Sequence, residues 1–288
     1  MNERSWLFLR GEYDANNKYN AKHDLDCWIQ LFRGLSDGKG KVWYKGQKVP
    51  KGVTHVFARG AFDYYIPILK KLKNAYKVRY AAGSRLLPEK DIRYDLILVD
   101  SEEQRKKVLK KFPKANVKVF FKPAANHFKP IDVPKKYDVG FVAAIPEDKR
   151  KRVKFVYKTV PKHLKVLQLG YKPKFKVPKN IKIKHVKSDK MPKYLNQCKV
   201  IVCPYSELDS GPRIISEALA CNVRPFVLDS TPHCYGHHFT FTKEEIWPAI
   251  IKFIDVFLHK RDGEISKHYN EHFSMEKAVA HLKELIDG

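Results

Sequence analysis

Short apolar runs alternate with amphipathic stretches along most of the chain. Residues 5–9 form an apolar run that stops at Arg10 and Gly11, the pattern of a buried strand entering a turn. Residues 23–35 carry Leu25, Trp28, Ile29, Leu31 and Phe32 at helical spacing. Further strands are expected at 41–44, 54–58, 76–81, 94–99 and 117–121, with helices at 62–72 and 100–112 between them. Leu96-Ile97-Leu98-Val99 is the clearest buried strand, and Glu102 and Glu103 then place acids in the first turn of a helix. Strands alternating with helices predict a parallel α/β sheet.

Residues 122–136 break the pattern with Pro123, Pro130 and Pro134 and little periodicity. A second α/β series follows. Strands are expected at 137–143, 164–169, 181–186, 200–202 and 224–228, and helices at 149–160, 191–197, 212–220, 243–258 and 275–286. The expected organisation is therefore a domain over 1–130 and a second over 131–288, both Rossmann-like. The last helix is placed where it can return to the first domain. Two such halves face each other across a cleft, where ligands of α/β sheets bind.

Composition narrows the class. The 288 residues are 43% hydrophobic and 31% charged, enough apolar surface for packed cores. No apolar run is long enough to span a bilayer, and charges interrupt the apolar stretch at the start, unlike a signal peptide. Five cysteines without a C-x-x-C pair point to free thiols in a reducing compartment, so a cytoplasmic location is expected. Lys and Arg number 57 against 31 Asp and Glu, a net charge of +26. The excess is regional: residues 149–199 hold 18 basic residues and one acid, Asp189. Such a run is either a solvated lysine face or a field for a polyanion, and the near absence of acids favours the field. Nucleic acid, an anionic membrane surface and phosphorylated substrates are the candidate partners.

No G-x-G-x-x-G follows a strand and no P-loop motif occurs. The informative segment is 200–228. An apolar strand leads into a loop with Glu207 and Asp209; Ser210, Gly211 and Pro212 then open a helix that carries Glu217. Amides at such a start suit phosphate, and Glu217 is placed to accept sugar hydroxyls. The same residues also fit a capped helix with Asp209 or Ser210 as N-cap and Glu217 in solvent. His233, Cys234, His237 and His238 do not match a zinc ligand set, and no metal is expected. Tyr64, Tyr65 and Trp28 are assigned to the core.

The 200–228 segment resembles the donor-site motif of GT-B glycosyltransferases of the retaining family-four type. Asp209 stands where the family has its first Glu, and Glu217 is the second. Residues 218–225, Ala-Leu-Ala-Cys-Asn-Val-Arg-Pro, match the usual continuation, with Asn222 for Gly and Arg224 inserted before Pro225. Segments 94–108, 119–130 (with Phe128 and Pro130), 137–150 and 189–204 resemble other parts of the family in the same order. The resemblance implies a nucleotide-sugar donor, a UDP-sugar, with Asp209 against the transferred sugar and Glu217 on the ribose. It also implies that Val186 and Lys187 lie near the base, and that Gly11, Ser210, Gly211 and Arg213 belong to the donor side. A departing diphosphate gains charge, which fixed cations favour without a metal or other cofactor. Arg150 and Lys154, one turn apart on the expected helix, are the candidates, with Arg152 pointing elsewhere.

The charge exceeds what a diphosphate needs. It resembles that of phage enzymes of this fold that attach sugars to hydroxymethylated DNA bases. DNA is therefore the favoured acceptor, ahead of a lipid-linked or surface glycan at an anionic membrane, with Arg59 and Arg85 on the acceptor side. A membrane enzyme would show exposed apolar residues on an amphipathic helix, for which 243–258 is the candidate. A third alternative is a non-catalytic nucleic-acid-binding protein.

Overall fold

The computed structural model describes residues 4–11, 25–59, 63–81, 86–209, 212–236, 239–257 and 264–288. The chain divides into two compact units, one over 1–121 with 275–288 and the other over 122–274.

In the first unit, β1 (Trp6–Gly11), α1 (Cys27–Leu35), β2 (Lys41–Tyr44), β3 (His55–Arg59), α2 (Ile66–Lys71), β4 (Tyr76–Tyr80), β5 (Leu96–Val99), α3 (Glu102–Lys111) and β6 (Val117–Val119) follow one another. The sheet is parallel throughout, in the order β2-β1-β3-β4-β5-β6. Both faces are covered, which is why its strands are continuous apolar runs rather than alternating ones. Leu7, Leu9, Val56 and Ala58 pack with Tyr65, Ile68 and Leu69 in one core cluster. Phe8 stacks on Phe32 of α1 and Trp28 lies beside Phe57. Asp26 caps α1 by accepting from the amides of Trp28 and Ile29. The C-terminal helix Met275–Asp287 packs on α1 at Gly34, where a Cβ would collide with Val279. Ion pairs of Arg4 with Asp287 and of Lys283 with Asp37 tie its end to the same unit.

The second unit runs β7 (Tyr137–Ala143), α4 (Val153–Thr159), β8 (Val166–Gly170), β9 (Ile181–Lys184), α5 (Met191–Asn196), β10 (Cys198–Cys203), α6 (Ile214–Ala220), β11 (Arg224–Leu228), β12 (Thr240–Phe241), α7 (Ile246–Phe257) and α8 (Glu264–His272); the C-terminal helix is α9. Its parallel sheet has the order β12-β11-β10-β7-β8-β9, the doubly wound arrangement in which strand order reverses between the first and fourth strands. Val139 and Phe141 of β7 join Val200, Val202, Phe226 and Val156 in its core. Gly140 and Gly170 let neighbouring strands close up. A Cβ on Gly140 would meet Cys198 Sγ at 2.6 Å, and one on Gly170 (φ +148°) would run into the Ala143 carbonyl.

Residues 122–136 are bound into the second unit. Tyr235 Oη accepts from the Lys122 amide and donates to its carbonyl, Tyr269 Oη accepts from the Ala124 amide, and the Asn196 amide side chain bridges Ile131 and Lys129. Those hydrogen bonds put the division at 121/122 rather than after residue 130.

The expected helix over 149–160 does not form as one piece. A 3-10 turn covers Lys149–Lys151, Arg152 is left-handed (φ +46°), and α4 starts only at Val153. α6 begins at Ile214, two residues after Pro212. α7 turns Ile246, Trp247, Ile250 and Ile254 into the core. Among the described residues, no helix is long and apolar enough to cross a membrane.

Candidate active site

In an open α/β sheet the ligand crevice lies beyond the carboxyl ends of the strands where strand order reverses. In the second unit that point falls between β7 and β10. The segments that follow them, 144–152 and 204–209, both carry charged side chains.

The loop after β10 is held from below. The Tyr205 ring is buried and its hydroxyl donates to the Val142 carbonyl at 2.8 Å. Thr231 Oγ1 donates to the carbonyls of Cys203 and Tyr205. The Ser206 amide donates to the Arg150 carbonyl at 3.0 Å, which joins the two loops directly. A tight turn then brings the Asp209 amide back to the Ser206 carbonyl. Asp209 is thus fixed and 4% exposed, too buried for an uncompensated carboxylate. Its partner is Lys151, whose ammonium donates to Oδ2 at 2.7 Å and lies 4.6 Å from the Tyr205 ring centroid. Burial against this cluster pushes the Tyr205 phenol and the Cys203 thiol up.

Glu217 sits on α6, whose N-cap position, Arg213, makes no side-chain capping bond. Asp209 accordingly serves Lys151 rather than capping that helix. Glu217 is half-buried, not solvated. Burial pushes its carboxyl above the usual range, against a smaller opposing pull from Arg213. Arg213 itself is exposed.

The cations depart from the expected arrangement. Arg150 is clamped by Asp148: Nε lies 3.0 Å from both carboxylate oxygens and one terminal nitrogen 2.6 Å from Oδ2. That fork holds the Asp148 carboxyl below its usual range and raises the guanidinium. Arg152 does not point away along a helix. From its left-handed backbone it donates to Ser230 Oγ at 2.7 Å and to Glu207 at 3.3 Å, pinning the loops after β10 and β11. Lys154 turns its ammonium over the Phe175 ring at 5.4 Å, in a separate pocket. Lys151, Tyr205, Arg152 and Ser230 are brought together with Asp209 or its loop and are not singled out by sequence reasoning. The only signal for Lys151 was its place in a run of four cations, and a continuous helix favours Arg150 in that run.

Val186 and Lys187 follow β9 on the same carboxyl edge, three strand spacings or roughly 14 Å from β10. Ser210, Gly211 and Arg85 lie outside the described residues. In the first unit, Gly11 ends β1 and Arg59 ends β3, the two strands that flank that sheet's own reversal point. The Arg59 guanidinium lies 5.4 Å from the Trp28 ring centroid. Among the described residues, no group of three His, Cys, Asp or Glu side chains is placed to hold a metal; His237 and His238 lie outside them.

No family model and no curated protein sequence matches the chain. Solved structures do match, along nearly the whole length. A glycosyltransferase from Rickettsia africae superposes with TM-score 0.69 at 11% identity, covering 100% of this chain and 98% of its own. Sucrose-phosphate synthase from Thermosynechococcus elongatus gives TM-score 0.67 at 10% identity, with 99% and 98% covered. Anabaena HepE, solved in complex with UDP and glucose, gives 0.66 at 11%, with 99% of each chain covered. The two six-stranded parallel sheets with their helices are the GT-B fold of two Rossmann-like domains, as the sequence resemblance implied.

Proposed function

We propose that the chain is a glycosyltransferase that moves a sugar from a UDP-sugar to an acceptor hydroxyl with retention of configuration. The observation that carries this reading is the Lys151–Asp209 pair at the reversal point, with Glu217 on the following helix. A UDP-bound structure among those sharing the fold supports the choice of donor.

The donor lies along the carboxyl edge of the second sheet, with the base by Val186 and Lys187 and the ribose hydroxyls on Glu217. The diphosphate lies by Lys151, the amides of Ser210 and Gly211, and Arg213. Asp209 faces the transferred sugar. One glycosidic bond breaks and one forms, and the acceptor proton leaves with the diphosphate. The charge gained by that leaving group is met by the Lys151 ammonium, which must let go of Asp209 to meet it. No metal or cofactor is assigned a part.

The favoured acceptor is a hydroxymethylated base in DNA. The charge of +26 and the single acid among residues 149–199 support a polyanion larger than the donor. The target base would leave the stack to be reached, with Arg59 and Arg85 on its side. The test is transfer of radiolabelled sugar from UDP-sugars to DNA with 5-hydroxymethylated pyrimidines, to plain DNA and to a lipid extract. Label on the modified DNA alone is expected. Label only in lipid overturns the acceptor and keeps the enzyme; no label and no donor hydrolysis overturns both.

A further inference from the structure

A concave feature lies in the lysine run away from Asp209. Lys154 and Lys158 of α4, with Tyr157 between them, face Phe175, Lys176 and Pro178 from the β8–β9 connection across a pocket of about 430 Å³. The Tyr157 and Phe175 rings stand 5.6 Å apart at 67°. Tyr157 is locked in place by its hydroxyl, which donates to the buried Gln168 side chain at 2.5 Å. The three lysines are exposed, and among the described residues none is in an ion pair. Lys154 and Lys158 are four apart on one helix, a like-charge pair that weakens an isolated helix. Among the described residues the Phe175 ring under Lys154 is the contact that eases that repulsion, and no carboxylate pairs with either lysine. A ligand that is anionic and carries a flat ring would offset it.

We propose that this pocket is a nucleic-acid subsite: a base of a single-stranded segment stacks on Phe175, displacing the Lys154 ammonium from that ring, with Tyr157 at its edge, while flanking phosphates lie on Lys154, Lys158 and Lys176. Rings that accept a base face, set among cations that follow the backbone, are what single strands require. A flat anionic bilayer surface uses the cations but presents no flat ring to lie on the aromatic face. The inference rests on the nucleic-acid reading of the acceptor and not on sugar transfer. It removes Lys154 from the diphosphate and gives it to the acceptor strand.

The test is fluorescence anisotropy of the full-length protein with a fluorescein-labelled oligo-dT of fifteen nucleotides, without donor, over a range of salt. Phe175→Ala should weaken binding about 5- to 50-fold with little change in salt slope, and Phe175→Tyr should restore it. The triple change Lys154→Gln, Lys158→Gln and Lys176→Gln should lower the slope by about 2. A control triple at Lys162, Lys165 and Lys193, also exposed, should lower it by less than half as much. Thermal unfolding confirms that each variant is folded. Wild-type affinity in Phe175→Ala overturns the subsite. Equal slope losses in the two triples overturn it too, since the run then acts as a diffuse field. A third overturning result is loss of binding to phosphatidylserine vesicles by Phe175→Ala with oligo-dT binding intact. Failure of sugar transfer with these results in place would refute the enzymatic reading alone.

Discussion

The Lys151 ammonium lies 2.7 Å from the Asp209 carboxylate, although Arg150, its neighbour, is the cation that the expected helix assigns to the diphosphate. The cause is the left-handed backbone of Arg152, which stops the 3-10 turn and resets the direction of the chain before α4. Arg150 is then turned onto Asp148 and Lys151 inward over Tyr205. A carboxylate that is 4% exposed, beside one cation, gives the site a charge that substrate must exchange rather than merely join.

Lys151→Ala is expected to weaken UDP-sugar binding by about 10- to 100-fold, the range of a charge-assisted hydrogen bond of ~1.5–3 kcal/mol. Lys151→Arg should retain most of it. Arg150→Ala should cost less than Lys151→Ala, because its guanidinium is committed to Asp148. Titration calorimetry separates the two; equal losses would return Arg150 to the diphosphate.

With Glu217 on the ribose hydroxyls, as proposed, donor binding should depend on its protonation. Its carboxyl is raised above 4.5 by burial. As pH falls through that raised value the group takes up a proton and loses an acceptor for the ribose hydroxyls. Affinity for UDP-glucose, whose phosphates stay ionised, should fall in the same window. The folded state binds this proton more tightly than the unfolded chain, so wild-type stability should decline as pH rises from 4.5 through the folded pKa. Glu217→Gln should bind more weakly and flatten both profiles. An unchanged pH profile in the variant would assign the dependence elsewhere.

Much of this architecture is legible in the chain. Strands buried on both faces appear as unbroken apolar runs, as Leu96–Val99 does, and the alternation with amphipathic helices follows. What escapes has little apolar signal: β12 has two residues, and α8 buries only Tyr269, so neither shows a periodicity. Asp209 and Glu217 are visible through the motif around them. Lys151 is not, because its position depends on a positive φ at an arginine, a conformation that no residue type at 152 announces. The partners that hold that conformation, Ser230 and Glu207, lie 78 and 55 residues away.

Asp148 organises the turn that carries these cations. It accepts from the Arg150 amide at 3.0 Å as well as from the guanidinium. Asp148→Asn is expected to lower stability by about 1 kcal/mol or less, the worth of a partly exposed ion pair, since asparagine can keep the cap. The carboxyl is held below 3.8, so this contribution is complete above 3.8 and is lost only as pH falls through the lower folded value. The gap in Tm between variant and wild type should therefore be constant from pH 5 to 8 and close in stronger acid. A gap that closes near neutrality would implicate a different group.

The last residue of β8 tests whether the site depends on how tightly two strands meet. Gly170 has φ +148°, which side chains with a Cβ rarely adopt, and its α-carbon faces the carbonyl of Ala143 at the end of β7. The site loop starts at the next residue, and Tyr171 donates its amide to the Ala144 carbonyl at 3.4 Å. Gly170→Ala must therefore either strain β8 or push β7 and its loop aside. Strain of this kind costs roughly 1–3 kcal/mol, so Tm should fall by about 4–10 °C. The displacement also moves the Lys151 turn, eight residues beyond Ala143, so donor affinity should fall with stability. Gly140→Ala presses on Cys198 and Ile201, inside the sheet and away from the loop, and should lower Tm with donor affinity preserved. If both variants lose stability and neither loses affinity, the β7 loop is positioned by its own contacts with Ser206 and Ser230 rather than by the seam with β8.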